Sequence, residues 1–312
     1  TVNSPATGLL IFQTDGAAGF YYYSGTAWTE LSSQASGWSL SGNAGTNSTT
    51  QFIGTSDAQD LNFRTNNINR LRLSQSGQLE VFNTGSSVFI GEQAGEVDDL
   101  TNNLNVFVGY RSGFSNTTGN YNLASGYRAM YSNVSGYRNT ALGAEALFDN
   151  STGYYNTGVG WRSLNNNTIG YQNTGLGSQT LNANTEGFRN TAIGYRALYF
   201  NVDGSQNTAN GYQALYRNTI ADRNSAHGFQ ALRNNTEGTG NSANGYRALY
   251  NNTTGNYNSG IGYSTNSVGT TFNNSTGLGY NADNTASNSV VVGNTSVNSI
   301  GGQVGWTTLS DG

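Results

Sequence analysis

Residues able to carry out acid–base or nucleophilic chemistry are scarce in this chain of 312 residues. It contains one histidine, His227, no cysteine and, among its 13 basic residues, no lysine. Cysteine–histidine nucleophiles and most zinc sites are therefore excluded, and the sequence has neither a P-loop nor a dinucleotide-binding fingerprint. We expect no catalytic residue, no metal site and no cofactor.

Pairs of carboxylates are the remaining route to hydrolytic chemistry, and they must lie about 5–9.5 Å apart to cleave a glycosidic bond. Glu186 and Glu237 occupy equivalent positions of a repeat described below, but three repeats separate them, or about 14 Å. Asp98 and Asp99 lie in the segment GEVDDL. That segment lacks the spaced acidic series of a calcium loop, so we interpret it as a solvated turn.

The overall composition excludes several classes of protein. A net charge of −4 with 10% charged residues provides no basic surface for nucleic acid. No run of about 18 apolar residues is present, so we expect no membrane insertion. The single proline excludes collagen despite 43 glycines, and 12% aromatic residues argues against a disordered chain.

A 17-residue repeat accounts for the high glycine content. It reads N-T-A-Φ-G-Y-x-A-L-x-x-N-T-x-G-x-x, where Φ is usually aliphatic, and we count positions from its first glycine, the anchor glycine, as position 0. The anchor glycines at this spacing are Gly109, Gly126, Gly143, Gly160, Gly177, Gly194, Gly211, Gly228, Gly245, Gly262 and Gly279. Gly91 lies 18 residues before the first of them, and Gly293 lies 14 after the last.

This repeat predicts short strands, because 17 residues are too few for a helical hairpin and Asn, Thr and Gly disfavour helix. The stretches T-A-Φ-G and Y-x-A-L have strand character. The clusters of Asn and Gly between them are typical of turns in which both residues take positive φ. The sequence therefore predicts an all-β fold, an elongated parallel β-roll (β-solenoid) of about 13 coils and roughly 60 Å in length.

Equivalent positions of successive coils form columns along such a roll. The column before the anchor glycine is mainly aliphatic, and we predict that it is core, interrupted by a polar belt of Asn210, His227 and Asn244. In a trimer with this column on its axis, three copies of His227 could hold an anion, water or metal; the alternative is a hydrogen-bonded patch that fixes register. Position 4 is Leu or Met in eight coils and forms a second apolar column.

Aromatic side chains form two files, at positions 1 and 5, which point outward if the leucine column points inward. We predict them as the ligand-binding surface, since flat rings along a rigid face could stack on sugar rings; the alternative is packing between coils or subunits. The candidate residues are Tyr127, Tyr131, Trp161, Tyr195, Tyr199, Tyr212, Tyr216, Phe229, Tyr246 and Tyr250. Position 2 is Arg in several coils, and these side chains should fan into solvent or lie over tyrosine faces.

Each coil offers few apolar side chains against the entropy of ordering 17 residues, so we expect a homo-oligomer. The N-T-A-Φ-G units over about residues 86–295 resemble the head repeats of trimeric autotransporter adhesins. This resemblance implies a left-handed parallel β-roll assembled as a homotrimer. Its usual repeat is shorter than the one found here.

The N-terminal part is similar to modules of surface and tail-fibre proteins of Bacteroidetes and their phages. This similarity rests on ATGLLIFQTDGAAGFYYYSGTAWTEL and on QFIGTSDAQDLNFRTNNINRLRLSQSGQLEVFNTG, both of which alternate short β segments with Asp-Gly or Ser-Gly turns. We divide this part into a β-hairpin module at 1–35, a linker at 36–50 and a small β module at 51–85.

The C-terminal segment 296–312 looks like the junction to an endosialidase-type intramolecular chaperone. Such domains begin S-D-x-R-x-K, and this sequence ends in LSDG. The resemblance implies a cleavage junction between Leu309 and Ser310, with Ser310 as the nucleophile of an uncut precursor. This chain lacks the Lys partner and could not make the cut itself.

These patterns favour a non-enzymatic extracellular fibre, displayed on a phage virion or a bacterial cell surface and binding a receptor, such as a glycan, through repeated weak sites. The alternative is a polysaccharide-depolymerising enzyme of the tailspike type. A third interpretation, ice binding, rests on a single threonine file that runs from Thr140 to Thr208.

Overall fold

The computed structural model of the chain is all-β, as the sequence predicts, and describes residues 5–14, 18–31, 42, 44, 46–47, 52–266 and 270–300. Two small sheets precede the repeats. The first contains β1 (Leu10–Gln13), β2 (Gly19–Tyr23) and β3 (Trp28–Glu30), which pair antiparallel in that order. Most of the predicted linker at 36–50 lies outside the described residues.

A second three-stranded sheet lies within the predicted module at 51–85. It has the order β4 (Leu61–Thr65), β5 (Ile68–Leu73) and β6 (Leu79–Val81). The turn between β4 and β5 contains Asn66 and Asn67, both with positive φ. Asparagine tolerates this left-handed conformation better than most residues, which fits its place in a tight hairpin turn.

Thirteen strands of three residues each form one long parallel sheet in chain order. They are β7 (Val88–Ile90), β8 (Val106–Val108), β9 (Leu123–Ser125), β10 (Thr140–Leu142), β11 (Thr157–Val159), β12 (Thr174–Leu176), β13 (Thr191–Ile193), β14 (Thr208–Asn210), β15 (Ser225–His227), β16 (Ser242–Asn244), β17 (Ser259–Ile261), β18 (Thr276–Leu278) and β19 (Val290–Val292). Thr140 pairs with Thr157 and Leu142 with Val159, one repeat apart. The predicted β-solenoid is confirmed, with about twelve turns between its first and last strands.

The anchor glycines are required by the backbone. Gly143 has a φ of +129°, and a Cβ added there would lie 2.8 Å from the carbonyl oxygen of Gly160 in the next coil. Any other residue would be strained in conformation and would also push adjacent coils apart. The repeat therefore keeps glycine at this corner because the coils approach each other there through their backbones.

The prediction that Y-x-A-L forms a second strand is wrong. Arg196 and Leu198 have φ of +55° and +52°, so alternate residues of this stretch are left-handed and the chain turns instead of extending. This conformation is unfavourable for residues with a Cβ. At Leu198 the free-energy cost of this conformation is offset by two contacts. The side chain is fully buried, and the amide donates to the carbonyl of Ala214 in the next coil.

The core of the solenoid is narrow and is built from small residues. Alanine or glycine occupies the middle of most strands, alanine usually occupies position 3, and leucine or methionine occupies position 4. The position 4 column is buried throughout, as predicted: Met130, Leu147, Leu164, Leu181, Leu198, Leu215, Leu232 and Leu249. Two further interior positions, 7 and 13, are asparagine in most coils.

The prediction that these asparagines form positive-φ corners is wrong. Position 7 carries a buried column of nine: Asn116, Asn133, Asn150, Asn167, Asn184, Asn201, Asn218, Asn235 and Asn252. In this column each Nδ2 donates to the Oδ1 of the preceding asparagine, at 2.7–3.1 Å. We call this column the amide ladder. It satisfies buried polar groups that would otherwise destabilise the fold.

The position 13 asparagines form a second buried column with a different pattern. The Asn139 amide nitrogen donates to Asn122 Oδ1 at 3.0 Å, and Asn139 Nδ2 donates to the carbonyl of Gly153 at 2.8 Å. Asn139 thus bonds to the preceding coil through its backbone amide and to the following coil through its side chain, whose Oδ1 accepts from the Asn156 amide at 2.9 Å. Hydrogen bonds supply the contacts that larger apolar side chains supply in wider cores.

Candidate assembly and ligand-binding surfaces

The column before the anchor glycine lies on the outside of the roll, so the prediction that it is core is wrong. In a strand, neighbouring side chains point to opposite faces. Ala192 is fully buried, whereas Ile193 is 36% exposed. We call this column the outer strand column; its members are Ile90, Val108, Ser125, Leu142, Val159, Leu176, Ile193, Asn210, His227, Asn244, Ile261, Leu278 and Val292.

The predicted polar belt exists as a stack but not as part of the core. Asn210 pairs in register with His227, and His227 with Asn244, so the three residues occupy adjacent coils. All three are exposed. His227 Nε2 lies 3.1 Å from the hydroxyl of Ser225, which projects from the same side of the strand. The belt therefore interrupts an outer aliphatic column with polar side chains.

The aromatic file at position 1, which we call the first aromatic file, is exposed as predicted. Its rings stack on each other along the rod. Six of them are continuous, with centroid separations of 4.7–5.6 Å: Tyr195, Tyr212, Phe229, Tyr246, Tyr263 and Tyr280. Within such a stack, neighbouring rings cover each other's faces, and ring edges remain open. The predicted stacking of sugars on these faces is therefore hindered inside the stack.

The file at position 5 is half-buried and is bridged to the first file by arginine. The Arg196 guanidinium carbon lies 5.0 Å from the Tyr195 ring centroid and 5.3 Å from that of Tyr199. Arg247 lies similarly between Tyr246 and Tyr250. Arginine over tyrosine faces, one of the two arrangements expected for position 2, is observed at these coils and contributes a cation–π attraction.

A third aromatic file at position 11 was not predicted. Tyr137, Tyr154, Tyr171 and Phe188 stack with centroid separations of 4.9–5.0 Å. The signal available in the sequence is the aromatic residue directly after the second glycine of these four repeats. All four rings are half-buried, so this file contributes more to packing between coils than to an open surface.

Asp98 is more than part of a solvated turn, whereas Asp99 is exposed, as that interpretation expects. Asp98 Oδ2 accepts hydrogen bonds from Asn105 Nδ2 at 3.1 Å and Asn116 Nδ2 at 2.7 Å. Asp98 therefore supplies the acceptor that the first asparagine of the amide ladder needs. Asp99 accepts from the Thr101 hydroxyl, the Thr101 amide and the Asn103 side chain, and these bonds lower the pKa of its carboxyl.

Other chemical features are sparse in the part of the chain that the structure describes. Glu145 forms an ion pair with Arg162 at 2.6 Å. The described residues contain no cluster of three or more His, Asp or Glu side chains able to hold a metal, and no helix that could cross a bilayer. The predicted cleavage junction at Leu309 and Ser310 lies outside the described residues.

Comparison with known proteins gives one positive result. Residues 1–50 match the model of a family described as a phage tail like trimerisation region. Neither the curated proteins nor the solved structures contain a significant match to the chain. A trimerisation region of the phage-tail kind, followed by a β-solenoid, fits the organisation of a structural tail-fibre protein.

Proposed function

We propose that the chain is a structural subunit of a homotrimeric tail fibre, in which the solenoid forms a stiff rod carrying a receptor-binding surface. The observation that carries this proposal is the match of residues 1–50 to a phage tail like trimerisation region, in the same chain as a solenoid of thirteen strands. A trimerisation region sets three copies side by side. Three solenoids in parallel would then share one axis.

The outer strand column supports this assembly. Leu142, Leu176 and Ile193 are each 36–37% exposed, and Ile261 is 51% exposed, although all four are aliphatic. The column extends over about twelve coil spacings, or roughly 58 Å. Its aliphatic residues form two longer stretches, from Leu142 to Ile193 and from Ile261 to Val292. Monomeric proteins rarely expose large apolar patches. We propose that it packs against the same column of two further copies, with Asn210, His227 and Asn244 fixing the register.

The rod's mechanical role follows from its bonding. Backbone hydrogen bonds join each coil to its neighbours, and the two asparagine columns add further bonds between adjacent coils. Such a stack resists stretching and bending because many bonds must break together. Threefold copies of a weak receptor site would then gain avidity from rigid spacing.

Light scattering of the full chain in native buffer tests the proposal. A homotrimer has three times the chain mass of 33.0 kDa, which is about 99 kDa. Rods of roughly 58 Å in electron micrographs should accompany that mass. A mass of 33.0 kDa at micromolar concentration would contradict the assembly.

We further propose an extracellular, virion-associated location and no catalytic activity; the alternative location is a bacterial cell surface. The ion pair between Glu145 and Arg162 favours a structural role for that carboxylate. Release of reducing ends from host polysaccharide by the purified chain would instead favour a depolymerase. A precursor cut between Leu309 and Ser310 would yield a mature chain whose C-terminal mass matches that position.

A further inference from the structure

The first aromatic file is interrupted at two coils, and the interruptions leave one ring without a stacked partner. Ala144 and Ser178 occupy position 1 on either side of Trp161. Trp161 is 47% exposed, and among the described residues no aromatic ring stacks on it. Each small residue therefore creates a gap one ring wide in a file whose other rings cover each other.

The gap at Ala144 is bordered by a cation whose charge is paired. The Arg162 guanidinium carbon lies 4.9 Å from the Trp161 ring centroid, and Arg162 Nε lies 2.6 Å from Glu145 Oε2. Glu145 is in the preceding coil, so this ion pair draws the guanidinium toward the Ala144 side. The arginine beside this gap is therefore already paired with a carboxylate.

The gap at Ser178 has an arginine in the same place but with a neutral hydrogen-bond partner. Here the next ring of the file is Tyr195, two coils beyond Trp161, or about 9.6 Å away. Arg196 lies over Tyr195 and donates from Nε to Gln179 Oε1 at 2.8 Å, which draws its guanidinium toward the Ser178 coil. Within the described residues, Arg196 has no carboxylate partner.

We infer that the gap above Ser178 is a binding site for one acidic sugar ring, held between the rings of Trp161 and Tyr195 with its acidic group on the guanidinium of Arg196. A ring inserted midway would lie about 4.8 Å from each neighbour, within the 4.7–5.6 Å separations of the file itself. The C–H face of a pyranose packs on indole. Its carboxylate accepts hydrogen bonds from the free nitrogens of Arg196, and the Ser178 hydroxyl can bond a ring substituent.

This inference rests on the proposed fibre in one respect, since the first aromatic file must stay accessible when the chains assemble. It deepens that proposal by naming the ligand as a hexuronate or a sialate. Both share a pyranose ring and a carboxylate. Neutral hexoses share the ring alone and should bind more weakly by about tenfold or more.

The test measures binding of trigalacturonate, sialyllactose and neutral lactose to the full chain by calorimetry. Ser178→Tyr fills the gap with a ring and should weaken binding of the acidic sugars by at least about tenfold. Ala144→Tyr fills the other gap and should leave the affinity for the acidic sugars unchanged. Arg196→Gln should remove the preference for acidic sugars over lactose, and the preferred acid distinguishes hexuronate from sialate.

Two results would overturn the inference: no saturable binding of either acidic sugar, or equal binding by the chain and its Ser178→Tyr variant. Thermal melts of each variant show whether a lost signal reflects unfolding. Light scattering on the same samples keeps the two proposals separate. If the particle has a mass of about 99 kDa, three chains of 33.0 kDa, but does not bind acidic sugars, the proposed site is wrong and the proposed trimeric fibre still stands.

Discussion

The interior and exterior columns of the solenoid share one spacing but differ in how strictly the residue type repeats. Position 7 is asparagine in nine successive coils, whereas position 1 varies among Tyr, Trp, Phe, Ala and Ser. An interior amide must match the coil before and the coil after it, so one change breaks two sets of bonds. An exterior ring gains from a neighbour but does not require one. Departures from the repeat on the exterior of the solenoid are therefore the most informative about possible binding sites.

Breaking the amide ladder should have the largest effect. Asn184→Leu removes the acceptor of Asn201 Nδ2 and the donor to Asn167 Oδ1, both in a buried column. We expect a loss of about 2–5 kcal/mol, because polar groups stay buried without their partners. The matched control is Asn166→Leu, an exposed asparagine one turn earlier, which should be nearly neutral. Thermal melts followed by circular dichroism compare the two, and equal melting temperatures would contradict the ladder's role.

Removing the end of the ladder should cost less. Asp98→Ala deprives Asn105 Nδ2 and Asn116 Nδ2 of a charged acceptor, but both also donate to the carbonyl of Gly119. We expect about 1–3 kcal/mol of destabilisation. Hydrogen exchange should show faster opening of the first coils only. Uniform opening of all coils would argue that the ladder does not begin at Asp98.

The exterior side of the comparison predicts a dependence on neighbouring rings. Phe229→Ala removes a ring stacked at 5.1 Å on Tyr212 and at 5.2 Å on Tyr246. We expect a loss of about 1–2 kcal/mol. Trp161→Ala removes a larger ring that stacks on no other ring among the described residues, and it should destabilise less. If Trp161→Ala lowers the melting temperature more than Phe229→Ala, ring stacking is not what stabilises this file.

The smallest effect should be a pH dependence at Asp99. Its hydrogen bonds from Thr101 and Asn103 hold the folded pKa below the ordinary value of 3.8. The ionised carboxylate therefore stabilises the fold above pH 3.8, and this contribution is lost as the pH falls through the lowered folded pKa. An NMR titration of the Asp99 carboxyl carbon measures the shift directly. Asp99→Asn should remove that part of the acid dependence of melting.

The sequence predicts the solenoid, its 17-residue register and the buried leucine column, because glycine spacing and column identity are visible without coordinates. It misplaces the outer strand column, since aliphatic residues are more typical of a core than the small residues beside them, such as Ala192, which are the ones buried. It also misreads the asparagines. Their turn propensity is a local property, whereas the ladder depends on contacts between coils.

At the candidate site, too, the sequence predicts which residues repeat but not the contacts that they make between coils. Aromatic files at positions 1 and 5 could be read from the repeat, but the stacking that covers their faces could not. Nor could the left-handed conformation of Leu198 and Arg196, which aims leucine inward and arginine over the rings. Propensities place such residues in extended or helical backbone, and only the packing of adjacent coils reverses that preference.

The central claim is that the interior of each solenoid is complete within one chain, whereas the outer strand column joins three chains. The absence of cysteine allows a direct test by single-cysteine cross-linking. Ile193→Cys places a thiol on the outer strand column, and Thr152→Cys places one on an exposed position elsewhere on the coil. Mild oxidation should give a disulfide-linked pair of chains, about 66 kDa from two chains of 33.0 kDa, for Ile193→Cys and not for Thr152→Cys. Cross-linking of Thr152→Cys alone, or of neither variant, would contradict the account.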